Sequence, residues 1–312
     1  SYQQAEKNLK AMLPEVKDKN YEKAVVLRSL SSVYALLGRY QKAAEQGYAL
    51  GQINLGVMYD KGTGIAQDAG QAVFWYQKAA EQGYAVAQAN LGYMYDNGKG
   101  VKQDAAQAMI WYQKAADQGH ALGQNNLGSA YESGRGVELD YVEAIKWYKK
   151  SAEQGNALGQ VNFGAMYDKG RGVKQDYVQA IKWYKKSAVQ GNALAQSNLG
   201  FMYDKGKGVK QNDNEAVKWY QKSAEQGNPV GQNNLGTMYS SGRGVKQDDH
   251  QAVKWYQKAA LQGYALAQYN LGAMYYQGKG VEKNYKQMFF WLQKSAEQGG
   301  VDAINVLKQL KK

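Results

Sequence analysis

Few residues of this chain have the types and spacing that catalysis or metal binding requires. The 312 residues include no cysteine and only two histidines, His120 and His250. Thiolate nucleophiles, thiolate metal sites and disulfides are therefore excluded. The two histidines occupy different positions of an internal repeat, so they form no recurring pair. We therefore predict no catalytic residue, no metal site and no cofactor, and hence no enzyme.

A Gly-basic-Gly-Val motif is the next candidate for chemistry, as in GKGV at 206–209. Glycine amides beside a basic side chain can bind a phosphate group. However, no Gly-Lys-Ser/Thr sequence follows the motif and no strand pattern precedes it. Because the motif also recurs along the chain, we interpret it as a structural loop between two helices.

The histidines and the glycine motifs lie within an internal sequence repeat. The tryptophans recur at intervals of 36 residues, at 75, 111, 147, 183, 219, 255 and 291. Internal periodicity of this length is typical of stacked helix pairs, which bury their apolar faces only against neighbouring pairs. The units with this period are 48–83, 84–119, 120–155, 156–191, 192–227, 228–263 and 264–299.

Local signals divide each unit into two helices. The first helix ends at a glycine such as Gly206, and the second begins at a capping residue such as Asp140 or Asn212. A further glycine, for example Gly200, falls inside each first helix, where it costs about 1 kcal/mol relative to alanine. We expect close approach of a neighbouring helix to compensate, with the Trp and Tyr of the second helix filling the surrounding space.

These motifs resemble Sel1-like repeats, which are relatives of tetratricopeptide repeats with a longer loop between the helices. The resemblance rests on Leu-Gly-x-x-Tyr, Gly-x-Gly-Val, Ala-x-x-Trp-Tyr and Ala-Glu-Gln-Gly at the 36-residue period and covers 48–299. It implies an all-α, right-handed α/α solenoid of about eight helix pairs. The ends differ: 1–47 resembles an N-terminal helical cap with a degenerate tetratricopeptide-like unit, and 300–312 a C-terminal capping helix.

Two positions of the first helix vary freely between repeats and lie four residues apart, on one face of the helix. The resemblance implies that first helices line a concave groove, so we predict that these positions bind a partner. Aromatic residues dominate interface hot spots, which makes Tyr93, Phe201 and Tyr269 candidate anchors. The predicted set is Ile53, Val57, Ala89, Tyr93, Asn125, Ser129, Val161, Ala165, Ser197, Phe201, Asn233, Thr237, Tyr269 and Ala273.

A run of acids follows three residues after the second variable position, at Asp60, Asp96, Glu132, Asp168 and Asp204. Acidic side chains near a helix C-terminus interact unfavourably with the helix macrodipole, so another interaction must offset this cost. Either these side chains accept hydrogen bonds within the repeat, or they present an acidic strip to a basic partner. The sequence leaves both interpretations open.

The net charge of +12 admits acidic partners, nucleic acid or an anionic surface. Lysines recur along the second helices and form no concentrated patch, which weakens the nucleic-acid interpretation. No run of about 18 apolar residues occurs, so we expect no transmembrane segment.

We therefore predict a scaffold or adaptor that binds another protein, such as a secreted effector or an envelope or signalling protein. The resemblance supplies a narrower alternative, an immunity protein that neutralises a phospholipase effector of type VI secretion. A basic binder of nucleic acid or anionic surfaces is the second alternative. The resemblance favours a periplasmic or secreted location, and Ser1 at the start is compatible with a removed leader; a cytoplasmic location stays open.

Overall fold

The computed structural model describes residues 33 and 35–310, and none of these lies in a β-strand. Residues 35–45 are helical. The helices that follow are α1 Ala49–Lys61, α2 Ala69–Glu81, α3 Ala85–Asn97, α4 Ala105–Asp117, α5 Ala121–Ser133, α6 Tyr141–Glu153, α7 Ala157–Lys169, α8 Tyr177–Val189, α9 Ala193–Lys205, α10 Asp213–Glu225, α11 Pro229–Ser241, α12 Asp249–Leu261, α13 Ala265–Gln277, α14 Tyr285–Glu297 and α15 Val301–Leu310.

These helices confirm the predicted all-α solenoid of helix pairs. The chain divides into two compact units, Ser1–Ser151 and Ala152–Lys312. Most of the N-terminal cap predicted over 1–47 lies outside the described residues, whereas α15 covers most of 300–312. None of the described helices is long and apolar enough to cross a membrane.

Both ends of the inter-helix loop form as their residue types predict. Each first helix ends at a glycine with φ between 63° and 69°, a left-handed conformation that other residues rarely adopt. Each second helix begins at an acid or amide whose side-chain oxygen accepts from the N–H three residues later; the Asp176 oxygen lies 3.0 Å from the Gln179 nitrogen. The capping residues are Asp68, Asp104, Asp140, Asp176, Asn212, Asp248 and Asn284.

The glycine inside each first helix contacts the second-helix tyrosine of the same repeat. A Cβ built on Gly92 would lie 2.6 Å from the ring of Tyr112, and one built on Gly164 would lie 2.9 Å from the ring of Tyr184. The expected close approach is therefore present; the tyrosine ring is the nearest side chain, and the second-helix carbonyls of Ala108 and Ala180 lie 3.2 Å from the built Cβ atoms. In the last repeat Leu292 takes the place of the tyrosine beside Gly272.

The tryptophans pack between repeats. Trp219 lies against a buried cluster that contains Tyr184 of the preceding repeat and Leu199 of its own. The outer face of its ring carries the Lys222 ammonium, 4.6 Å from the ring centroid. Equivalent lysines cover Trp111, Trp147, Trp183 and Trp255. Trp219 is therefore a partly buried residue that packs against the core and has a cation beside its ring.

A hydrogen-bonded pair of glutamines also joins successive repeats. The buried Gln160 donates to the carbonyl of Ala152, and its own side-chain oxygen accepts from Gln190, 2.7 Å away. The sequence analysis did not identify these residues, although a glutamine occurs at the same position of every repeat. The same arrangement recurs at Gln52, Gln88, Gln196, Gln232 and Gln268.

Candidate partner-binding surface

The structure separates the two variable positions of each first helix. Residues four apart are offset by about 40° around a helix. This offset is enough to bury one residue between neighbouring helices and to leave the other partly exposed. Most first positions are buried, and Tyr269 alone among them is half-buried; the buried ones are Ile53, Ala89, Asn125, Val161, Ser197 and Asn233. The two positions therefore do not share one exposed face, and the buried side chains are not open to a partner.

The second positions keep at least part of their side chains exposed. We call this set the variable face; it consists of Val57, Tyr93, Ser129, Ala165, Phe201, Thr237 and Ala273. Partner binding by the variable face and Tyr269 remains a prediction, now narrower than the one drawn from the sequence.

The three aromatic candidates have different surroundings. Tyr93, on α3, is nearly half exposed. Phe201, on α9, is only partly exposed, and the Lys207 ammonium lies 5.2 Å from the centroid of its ring. Tyr269 packs against the cluster formed by Met288, Leu292 and Ala303. Tyr93 therefore offers the most open aromatic surface, and Phe201 offers a ring with an adjacent cation.

The acids near the ends of the first helices form ion pairs with the next repeat. Lys99 Nζ lies 2.5 Å from an Asp60 oxygen, and Arg135 Nη1 lies 3.2 Å from an Asp96 oxygen. Arg243 pairs in the same way with Asp204, which is buried. In each pair the cation is the basic residue of the following Gly-basic-Gly loop. This supports the structural interpretation of both the acids and the loop.

Other acids of the run accept hydrogen bonds from buried tyrosines of their own repeats. The Tyr184 hydroxyl donates to Asp168 over 3.2 Å, and the Tyr148 hydroxyl donates to Glu132 over 2.8 Å. Burial raises the pKa of Tyr184 well above its usual value, and the charge of Asp168 raises it further. The acids of the run therefore make ion pairs and hydrogen bonds within the protein and do not form an unpaired acidic surface.

The asparagine inside each first helix completes this network from the following repeat. Asn198 hydrogen-bonds with the Tyr184 hydroxyl, and Asn234 does so with that of Tyr220. Asn270 also donates to the side-chain oxygen of Asn233 on the preceding first helix, over 2.9 Å. An acid, a tyrosine and the next asparagine thus connect two repeats through buried polar contacts.

The two histidines show no paired chemistry. His120 caps α5, where its Nδ1 accepts from the Gly123 N–H over 3.2 Å, and burial lowers its pKa. His250 is exposed on α12. Over the described part of the chain, histidine and carboxylate side chains form no group of three or more that could hold a metal ion.

Comparison with known families gives one clear result. The family model described as Sel1 repeat matches residues 40–48, 49–84, 85–120, 121–156, 157–192, 193–228, 229–264 and 265–300. These segments begin one residue after the units defined by the tryptophan spacing. Among curated proteins, none matches the sequence.

Solved structures give similar folds. A protective antigen of uropathogenic Escherichia coli with an SLR fold is 44% identical, with a TM-score of 0.68 over 86% of this chain and 57% of that chain. This chain therefore spans little more than half of that antigen. A Sel1 repeat protein from Oxalobacter formigenes is 36% identical, with a TM-score of 0.66 over 88% of this chain and 79% of its own.

An immunity protein from Pseudomonas aeruginosa also matches, at 22% identity and a TM-score of 0.47 over 72% of this chain and 81% of that chain. A likeness of this degree carries no argument about function.

Proposed function

Because the chain belongs to the Sel1 repeat family, whose scaffold fold is typical of protein-interaction modules, we propose that it is a non-enzymatic scaffold that binds a partner protein through the variable face. Tyr93, Phe201 and Tyr269 are the anchors we assign to that interaction. The proposal also places the protein in the periplasm or outside the cell, as the family resemblance favours.

The observation that carries the proposal is the contrast between neighbouring positions of the first helix. Positions that pack inside a repeat or join it to the next, such as the glycine beside the tyrosine and the asparagine of the network, keep their residue types in the inner repeats. The variable face lies on the same helices and changes from valine to tyrosine, serine, alanine, phenylalanine, threonine and alanine. These side chains stay at least partly exposed, even where they also pack against a buried cluster as Val57, Ala165 and Phe201 do, so a partner can contact them.

Two features weaken the alternative of a nucleic-acid binder. The recurring lysines of the second helices lie over tryptophan rings, as Lys186 does at 4.3 Å from the centroid of Trp183. The loop cations Lys99, Arg135 and Arg243 are paired with acids of the preceding repeat. These cations are therefore distributed among internal contacts and do not form one basic patch.

The experiment is affinity capture from a lysate of the source organism, comparing wild type with the double variant Tyr93→Ala/Phe201→Ala. The control is Phe74→Ala/Ile110→Ala, which removes apolar side chains from second helices that are about as exposed as Tyr93. Circular dichroism verifies that all three proteins keep their helical content. We expect one protein to be captured by wild type and control and lost from the Tyr93/Phe201 variant.

Equal capture by all three proteins would show that the variable face is not the binding surface. Binding that is retained by the Tyr93/Phe201 variant but lost from the control would move the site to the second helices. If the captured protein is a toxic phospholipase, the narrower role as an immunity protein follows; an envelope or signalling protein would establish the adaptor role.

A further inference from the structure

The last complete repeat lacks the polar network of the inner repeats. In the network described above, Asp168, Tyr184 and Asn198 are joined through the tyrosine hydroxyl. Three repeats later the equivalent positions are Tyr276, Leu292 and Val306. An acid has become an aromatic residue, a tyrosine has become leucine, and an amide has become valine. The site where two repeats meet has therefore changed from polar to apolar.

These three replacements line one cavity. It has a volume of about 320 Å³ and lies among α13, α14 and α15. Tyr269, Ala273, Met288 and Leu310 contribute apolar surface to its remaining wall, and Gln277 and Gln309 contribute polar surface. Leucine occupies less space than the tyrosine ring that fills the equivalent position in the other repeats. Gly272 also lines the cavity and leaves space there, because it has no side chain. The cavity is at the small end of the range of about 300–1,000 Å³ found for ligand sites.

One cation lies beside this mainly apolar cavity. The Lys283 ammonium is 5.6 Å from the ring centroid of Tyr276, which lines the cavity, and 5.3 Å from that of Tyr285. Among the described residues, Lys283 forms no ion pair with a carboxylate. An occupant with an apolar group and adjacent negative charge would complement both features.

We infer that this cavity receives an apolar side chain, of phenylalanine or leucine size, from an acidic segment of the partner protein. The inference rests on the proposed function, since Ala273 belongs to the variable face and Tyr269 is one of its candidate anchors. It adds the chemistry of the partner: an apolar residue flanked by aspartates or glutamates. The cavity is an anchor point at the last repeat, and the acidic flanks contact Lys283.

The test uses the fluorescently labelled peptide acetyl-GEDFLDEG-amide and measures binding to the full chain by anisotropy. Two variants close the cavity: Ala273→Trp fills it, and the triple variant Tyr276→Asp/Leu292→Tyr/Val306→Asn restores the network of the inner repeats. The triple variant uses residues that already pack together in this fold, so we expect it to keep its helical content. Ile110→Trp is the control, because it places a tryptophan at an exposed second-helix position outside the variable face.

We expect the peptide to bind wild type and Ile110→Trp equally, and to bind both cavity variants more weakly by a factor of about ten or more. A peptide with serines in place of its Phe-Leu pair should not bind. Lys283→Gln should weaken binding severalfold, and raising NaCl from about 50 to about 300 mM should do the same in wild type, because salt screens exposed charges.

Equal binding of the peptide to wild type and both cavity variants would overturn the inference, and so would the absence of peptide binding to wild type. Indole serves as a small apolar probe: saturable binding of indole without binding of the peptide would make the cavity a small-molecule site instead. A captured partner that the network-restoring variant retains but the Tyr93→Ala/Phe201→Ala variant loses would overturn this inference alone and leave the proposed function standing.

Discussion

The ring of Tyr220 lies directly against the backbone of Gly200, so that a Cβ built on this glycine would stand 2.6 Å from Cδ1 of the ring. Glycine inside a helix ordinarily costs about 1 kcal/mol relative to alanine, so helix propensity alone favours replacing it. The contact reverses that expectation, because the ring is buried and has little room to move.

Gly200→Ala should therefore lower the free energy of unfolding, by about 1–3 kcal/mol, which is the usual cost of overpacking. The matched variant is Gly272→Ala, whose Cβ would meet Cγ of Leu292 at 3.1 Å beside an open cavity. It should be close to neutral. Urea denaturation followed by circular dichroism measures both. An equal loss at the two glycines would mean that the tyrosine ring is not the cause.

Removing one hydroxyl tests the polar network between repeats. Tyr184→Phe should cost about 1–3 kcal/mol of stability, because it leaves Asp168 and Asn198 without a shared partner in a buried setting. Tyr76→Phe is the control, since the Tyr76 hydroxyl makes no hydrogen bond to a described residue, although Asp60 lies near it. A loss as large in the control as in Tyr184→Phe would show that ring packing, and not the hydroxyl, is responsible.

The cap of α5 predicts a dependence of stability on pH. His120 accepts a hydrogen bond as a neutral imidazole, and burial lowers its pKa from the usual 6.5. The unfolded chain therefore takes up a proton at a higher pH than the folded chain. This contribution to stability is complete well above pH 6.5 and is lost as the pH falls through the usual histidine pKa.

Melting temperatures at about pH 7.5 and about pH 5.5 measure this effect. His120→Asn is the control, because Asn156, Asn192 and Asn228 cap equivalent helices without titrating in this range. Wild type should lose more of its melting temperature on acidification than His120→Asn. Identical losses would show that the histidine cap does not contribute to the pH dependence.

The glutamine pairs should matter although their side chains are neutral. Gln196 is buried, donates to the Ala188 carbonyl over 3.1 Å and accepts from Gln226 over 2.7 Å. Gln196→Leu removes both bonds, for an expected loss of about 2 kcal/mol at roughly 1 kcal/mol per bond, while the Ala188 carbonyl keeps its bond from the Gly191 N–H. Gln226→Leu removes only the partly exposed partner and should cost less. Equal free energies of unfolding for the two variants, measured by urea denaturation, would contradict the role assigned to the buried glutamine.

The sequence by itself determined the repeat, the helix ends and the absence of cysteine chemistry. Tryptophan spacing located the units, while glycines such as Gly206 and caps such as Asp176 fixed the loop between helices. These features are readable because they depend on local backbone conformation. A left-handed glycine or a side-chain cap involves residues only a few positions apart.

Only the tertiary structure decided which variable residues reach the surface and what the acids do. Ile53 and Val57 look equivalent in the sequence, yet the first is buried and the second is partly exposed. Asp96 has its ion-pair partner, Arg135, 39 residues away in the next repeat. Burial and pairing of this kind depend on how one helix pair stacks on the next. Periodicity places these residues on a helix, and the contact between repeats decides what each of them touches.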